Sequence, residues 1–147
     1  MQNLIPFLAQ ALSPGAIVTD AADRQSFETD FRGLIRHAAE CVVLPRNAQE
    51  VAITVQACAA RGVAIVPQGG NTGLVAGGVP APDVRQVILS LRRMNAIRAV
   101  DVIDNTMTVE AGVVLAAAQA AAGQHDRLLP LSLAAEGSCQ IGGNIAT

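Results

Sequence analysis

Residues 67–74 read Pro-Gln-Gly-Gly-Asn-Thr-Gly-Leu and come directly after a short apolar run. Glycines at that density let successive backbone N–H groups converge on one anion, and Asn71 and Thr72 add side-chain donors. The chemistry this suits is a cradle for a pyrophosphate. A second cluster, residues 137–144, reads Gly-Ser-Cys-Gln-Ile-Gly-Gly-Asn and joins close backbone approach to the polar groups of Ser138, Gln140 and Asn144. Either cluster alone has a bland alternative, a glycine-rich surface turn. Glycine costs regular structure roughly 0.5 to 1 kcal/mol wherever alanine would serve, so two such clusters in one short chain point to a shared ligand.

Two familiar phosphate loops do not fit. A Walker loop needs a lysine, and all ten basic residues here are arginine. The dinucleotide fingerprint needs G-x-G-x-x-G opening a helix, whereas these glycines run on into Gly77, Gly78 and Pro80. A formal charge of −2 gives no electrostatic footprint for nucleic acid, so no nucleic-acid partner is expected. No apolar run reaches the roughly 20 residues of a transmembrane helix, and residues 1–12 read as a short amphipathic helix rather than a signal peptide. Cys41, Cys58 and Cys139 are odd in number and widely spaced, which fits neither a disulfide framework nor a metal site and suggests a reducing, cytoplasmic setting. His37 and His125 stand apart, outside any ligand-spaced cluster, so no metal site is expected and both read as surface residues.

The elements that must hold the two clusters follow from periodicity. Residues 13–36 show no sustained period and read as irregular, with one short helical turn at most. The run Cys41-Val-Val-Leu44 is a buried strand stopped by Pro45. Asn47 and Glu50 form a capping box for a helix that buries Ala48, Val51, Ala52, Val55, Cys58 and Ala59 and closes at Gly62. Val63 to Val66 is a second strand, parallel to the first, ending at Pro67. Val87 to Leu91 is a third. Residues 97–103 and 107–110 make a hairpin turned by Asp104 and Asn105, and Val113 to Ala122 is an alanine-rich helix ended by Gly123. The final stretch stops in mid-motif and reads as a cut end.

Several motifs then carry a resemblance: Thr29-Asp-Phe-Arg-Gly33, Pro45 with the Glu50-Val51 helix start, PQGGNTGLV over residues 67–75, LSLRRMN over 89–95, TVEAGV over 108–113, and LPLSLAAEGSCQIGGNIAT from Leu129 onward. In this order they resemble the FAD-linked oxidases with a p-cresol methylhydroxylase (PCMH) or vanillyl-alcohol oxidase type of FAD-binding domain. Within that family the likeness is to D-lactate, glycolate and D-2-hydroxyglutarate dehydrogenases. The resemblance implies an α/β (α+β) fold: a small parallel strand-helix-strand lobe followed by the start of a second α/β lobe, truncated at the carboxyl end. Residues 1–38 would be a lead-in and residues 39–147 the incomplete FAD-binding domain.

It also implies FAD as cofactor. Pro67, Gln68, Gly69, Gly70, Asn71, Thr72, Gly73 and Leu74 would hold the pyrophosphate side, and Pro130, Gly137, Ser138, Gly142, Asn144 and Thr147 the ribityl and flavin side. The partner is a small-molecule 2-hydroxyacid whose site lies outside this chain, with an electron acceptor the sequence does not name and a homo-oligomer left open. No catalytic residue is assigned. Cys139 reads as a packed small residue without a flavin bond, Asp30 and Arg32 as an ion pair or packing contact, and Arg92 and Arg93 as a solvated strand end. Ala76 stands where the family commonly has glycine, a mild change unless the backbone there needs positive φ. The residues by themselves leave two alternatives: a nucleotide- or phosphate-binding module without redox activity, and a fragment inactive on its own.

Overall fold

The computed structural model describes residues 3–146. Strands β1 (Ile17–Val18), β2 (Val42–Val43), β4 (Gln86–Ser90) and β3 (Ala64–Gln68) form a four-stranded sheet in that order, and β5 (Ile97–Asp101) and β6 (Thr106–Val109) form a separate antiparallel pair. Helix α1 (Leu4–Ala11) buries Leu4 and Leu8, one helical turn apart, and Leu12 continues that stripe. Strand β1 (Ile17–Val18) pairs antiparallel with β2 (Val42–Val43) at the sheet's end.

Strand β4 (Gln86–Ser90) lies parallel to both β2 and β3 (Ala64–Gln68) and separates them. The two strands expected to form one unit are therefore parallel, with a third inserted between them. Alternation along β2 and β4 explains their unbroken apolar runs. Cys41, Val43, Val87 and Leu89 meet α1 and the helix α3 (Ala48–Ala59) on one face, while Val42 and Ile88 meet Phe27 and Val66 on the other.

Helix α3 (Ala48–Ala59) starts as the sequence predicts, with Asn47 Oδ1 accepting from the Glu50 amide at 2.9 Å. Its reciprocal half differs. Glu50 turns its carboxylate onto the amides of Arg46 (2.8 Å) and Ser13 (3.0 Å), stapling the chain after α1 to the helix. The buried face differs accordingly: it is Glu50, Thr54, Ala57 and Cys58, whereas Ala48, Ala52, Val55 and Ala59 are exposed. Two polar residues are tolerated inside because both are hydrogen-bonded, Thr54 through its hydroxyl to the Glu50 carbonyl at 2.8 Å.

Residues 13–36 are not irregular. They hold β1 and the two-turn helix α2 (Ala21–Glu28), whose N-cap Asp20 accepts from the amides of Ala22 and Asp23. The missed signal was local: an Asp cap followed three residues on by another acid. Beyond α2, Asp30 is buried and organises the next turn, accepting from the amides of Leu34 and Ile35 at 2.7 Å each and of Arg32 at 3.3 Å.

Pro67 does not end its strand either. Strand β3 runs through it to Gln68, in register with Leu89 and Ser90. Proline is admissible there because β3 is an edge strand and its missing N–H faces away from β4. In the second layer β5 (Ile97–Asp101) pairs with β6 (Thr106–Val109), and the turn spans four residues because Asp101 Oδ1 accepts from the amides of Ile103 and Asp104. Helix α4 (Leu115–Gly123) buries Leu115, Ala118 and Ala122; Gly123 is its last helical residue rather than its stop. Arg127 then fastens that helix end to the hairpin turn, donating to Asn105 Oδ1 at 2.6 Å and the Val102 carbonyl at 2.9 Å.

Candidate functional site

The two glycine clusters, 60-odd residues apart in sequence, meet backbone to backbone. A Cβ placed on Gly70 would stand 2.0 Å from the Ser138 carbonyl oxygen and 3.1 Å from the Cys139 Cα. Only glycine permits that approach. One residue earlier, the space beside Gly69 is filled by the Gln140 side chain, with its Oε1 at 3.4 Å from an added Cβ. The first loop follows β3 and the second is registered by a bridge between Val114 and Gln140 and by the bonds Leu115 N to Cys139 O (3.0 Å) and Ile141 N to Val113 O (2.9 Å).

The second loop ends in a short helix, α5 (Ile141–Ile145), that the sequence reading treats as loop. Its glycines allow it to press on the preceding segment, where a Cβ on Gly142 would stand 2.8 Å from Ala111 Cβ. Gly112, to which sequence reasoning gave no role, closes the stack: an added Cβ would meet the Leu91 carbonyl oxygen at 2.0 Å and that of Met94 at 2.7 Å. A single glycine inside a strand-to-helix connection carries no cluster signal. Its role is visible only once the turn at residues 91–94 lies beneath it.

The predicted site residues divide into three groups. Gly69, Gly70 and Ser138 line the seam, where Gly70 meets Ser138, while Gly142 packs on Ala111. Gln68 and Asn71 direct their side chains away from it. Gln68 Nε2 donates to the carbonyls of Phe27 (2.8 Å) and Gly78 (2.6 Å), and Asn71 Nδ2 to that of Thr29 (2.8 Å). Thr72 and Asn144 are half-buried, while Pro67, Gly73, Leu74, Pro130 and Gly137 are exposed. Pro130 belongs to a strap held to α4 by Gln119 Nε2 on the Leu131 carbonyl at 2.7 Å, and no hydrogen bond among the described residues joins it to the seam. Thr147 lies outside the described residues.

The remaining candidates behave as follows. Cys139 is buried in the second loop, and all three cysteines are free thiols. Burial pushes the Cys41 thiol up to about 12. His125 is exposed, and His37 lines an open groove of about 500 Å³ with Glu40, Asp83 and Arg85. Arg32 Nε lies 3.9 Å from the Asp30 carboxylate. The arginine pair is not simply solvated: Arg92 stacks its guanidinium 4.0 Å over the Phe27 ring, and Arg93 donates to the Leu44 carbonyl at 3.1 Å. Ala76 takes φ +59°, so the alanine does sit in the left-handed region.

A dinucleotide's pyrophosphate needs converging neutral donors. Among the described residues, no carbonyl accepts from the backbone amides of residues 70–75, although the loop carrying them is anchored at both ends. Those free donors, on a loop backed at Gly70 by the Ser138 backbone and at Gly69 by the Gln140 side chain, fit such a group.

Comparison with known proteins places this geometry. Residues 39–147 match the FAD binding domain family. Rat mitochondrial D-2-hydroxyglutarate dehydrogenase is 36% identical over 138 residues, covering 94% of this chain and 25% of its own length. A putative D-lactate dehydrogenase of Schizosaccharomyces pombe is 39% identical over 129 residues, covering 88% of this chain and 24% of its own. The chain thus spans about a quarter of the curated relatives it matches. Among solved structures, alkyldihydroxyacetonephosphate synthase superposes with a TM-score of 0.88 at 23% identity, over 100% of this chain and 29% of that one. Substrate-bound p-cresol methylhydroxylase does so with 0.74 at 21%, over 92% and 26%. These two likenesses establish the fold.

Proposed function

The chain belongs to the FAD binding domain family, and from that premise we propose that it holds FAD for a flavin-dependent dehydrogenase that oxidises a D-2-hydroxyacid to the 2-oxoacid. The observation that carries the reading is the seam at Gly70 and Ser138, which presents a row of free amides in residues 70–75. In this reading the backbone amides from Gly69 to Leu74 would hold the pyrophosphate by donating to its oxygens. Gly137, Ser138, Gly142 and Asn144, and by family resemblance Pro130, would line the ribityl and flavin side. Bound FAD supplies the redox chemistry, accepting a hydride equivalent from the substrate's α-carbon.

The protein's own part is to bind and orient. The choice of a D-2-hydroxyacid is supported by relatives named for D-2-hydroxyglutarate and D-lactate. We place the groups that grip the hydroxyacid, and the contact with the electron acceptor, outside these 147 residues, since the chain spans about a quarter of those relatives.

The test is an FAD titration of the purified chain, followed by quenching of flavin fluorescence, with ADP as competitor. Saturable binding displaced by ADP is expected. A folded chain that quenches no flavin fluorescence would refute the reading, and one that binds ADP but not FAD would replace it with a phosphate-binding module.

A further inference from the structure

Gln68 is the last residue of β3 and the first step into the glycine loop, and its side chain is almost wholly buried at 2% exposure. Its amide has two protons, and both are used. One goes to the carbonyl of Phe27 at 2.8 Å, the other to that of Gly78 at 2.6 Å. The second bond spans ten residues of chain, from one end of the glycine loop to the other. The first ties that closure to α2, whose C-terminal carbonyls have no partner within the helix. Asn71 repeats the pattern one step further in, holding the Thr29 carbonyl at 2.8 Å from a backbone at φ +54°. Reversing the Gln68 amide would set its oxygen against two carbonyl oxygens, so the orientation is fixed by its partners.

We infer that Gln68 is a positioning residue for the cofactor: it draws the mouth of the residue 69–78 loop closed against α2 and so aims the free amides, without itself touching the ligand. The inference rests on the FAD reading for its functional consequence, but the closure itself is a property of the chain alone. It also gives α2 a part in the site, as the pedestal on which the phosphate loop stands. Backbone donors bind well only when held in place beforehand, because a loop that must order itself on binding surrenders affinity.

Two variants separate this from a general loss of packing. Gln68→Met keeps the volume and removes both donors; Gln68→Glu keeps the shape and restores one donor when the buried carboxyl is protonated. Gln68→Met is expected to weaken FAD binding roughly tenfold or more and to lower the circular dichroism melting midpoint by a few degrees, since two carbonyls lose their donors while the chain still folds. It should also speed thermolysin cleavage before Leu74 or Val75 in the absence of FAD. Gln68→Glu should bind weakly at high pH and recover as pH falls, against a wild-type affinity that stays level over the same range. Should Gln68→Met fail to fold, the wild-type chain still decides: both Gln68 Nε2 protons must exchange slowly with solvent. Rapid exchange of those protons, or a folded Gln68→Met chain with wild-type cleavage and wild-type FAD affinity, overturns the inference. If wild type binds no FAD, the proposed function fails, while cleavage and proton exchange still judge the clamp.

Discussion

Replacing Gly70 with alanine adds one methyl group to a place that has no room for it. The new Cβ would sit 2.0 Å from the Ser138 carbonyl oxygen, against the 3.4 Å at which ordinary contact begins, a deficit of about 1.4 Å. Because the obstructing atom is backbone, no rotamer change relieves it; the two loops must part. Overpacking of this kind costs about 1–3 kcal/mol, and the stiffer unfolded chain returns about 0.4–1 kcal/mol. The net is a loss of about 1–2 kcal/mol, which for a chain of this size lowers the melting midpoint by roughly 2–8 °C. Separation of the loops also moves the amides of residues 70–75 by an ångström or so, and affinity for FAD should fall at least tenfold, about 1.4 kcal/mol. Gly73→Ala is the internal control, since nothing lies within 4 Å of an added Cβ there and its backbone is not left-handed. Circular dichroism melts of both variants and an FAD titration of Gly70→Ala form the assay, with Gly73→Ala as the control for stability alone because its amide lies in the proposed cradle. A Gly70→Ala chain that melts and binds like wild type, or a Gly73→Ala chain that loses as much stability, would refute the account of the seam.

Three other outcomes follow from the same structure. Ala76→Gly should raise stability by up to about 1 kcal/mol, read from the shift in urea midpoint, because it removes a left-handed alanine at φ +59°. Asp30 is held below its ordinary value of 3.8, chiefly by the Ile35 amide and also by those of Leu34 and Arg32 against the opposing effect of burial. Its stabilisation is therefore present above about pH 4 and lost as pH falls through the depressed value, so the stability gap between wild type and Asp30→Asn should narrow as chemical denaturations move from pH 6 to pH 3. Cys41, Cys58 and Cys139 are all buried, and the first is pushed up to about 12, so a chromogenic disulfide reagent at pH 8 should label none of the three until denaturant is added.

Much of this layout was legible beforehand, and the reasons differ from element to element. The apolar runs at Cys41 to Leu44 and Val87 to Leu91 announce buried strands because both faces of the sheet are covered. The two glycine clusters signal close backbone approach by their composition, and the contact of Gly70 with Ser138 realises it. Hidden from the sequence were features set by tertiary partners. The β1 strand exists because β2 is there to pair with it, and α2 has so little apolar periodicity that only its cap residue betrays it. Glu50 and Thr54 face inward against their polarity because backbone amides and carbonyls wait for them there. Gln68 and Asn71 looked like ligand donors by type, and the structure engages their amides elsewhere. Gly112 stood inside the TVEAGV motif of the resemblance, but its packing role stayed hidden because its neighbour at Leu91 is twenty-one positions away.

The seam's obstructing atoms bear on how this region can change over time. At Gly70 and Gly112 the crowding groups are the carbonyls of Ser138, Leu91 and Met94, which every amino acid carries. No second substitution at those neighbours can make room, so damage there has no suppressor short of reversion. Gly142 is different: its nearest neighbour is the methyl group of Ala111 at 2.8 Å, and Ala111→Gly should partly rescue Gly142→Ala while doing nothing for the other two. Two glycines of the stack are thus locked individually, and the third is free to trade places with a partner.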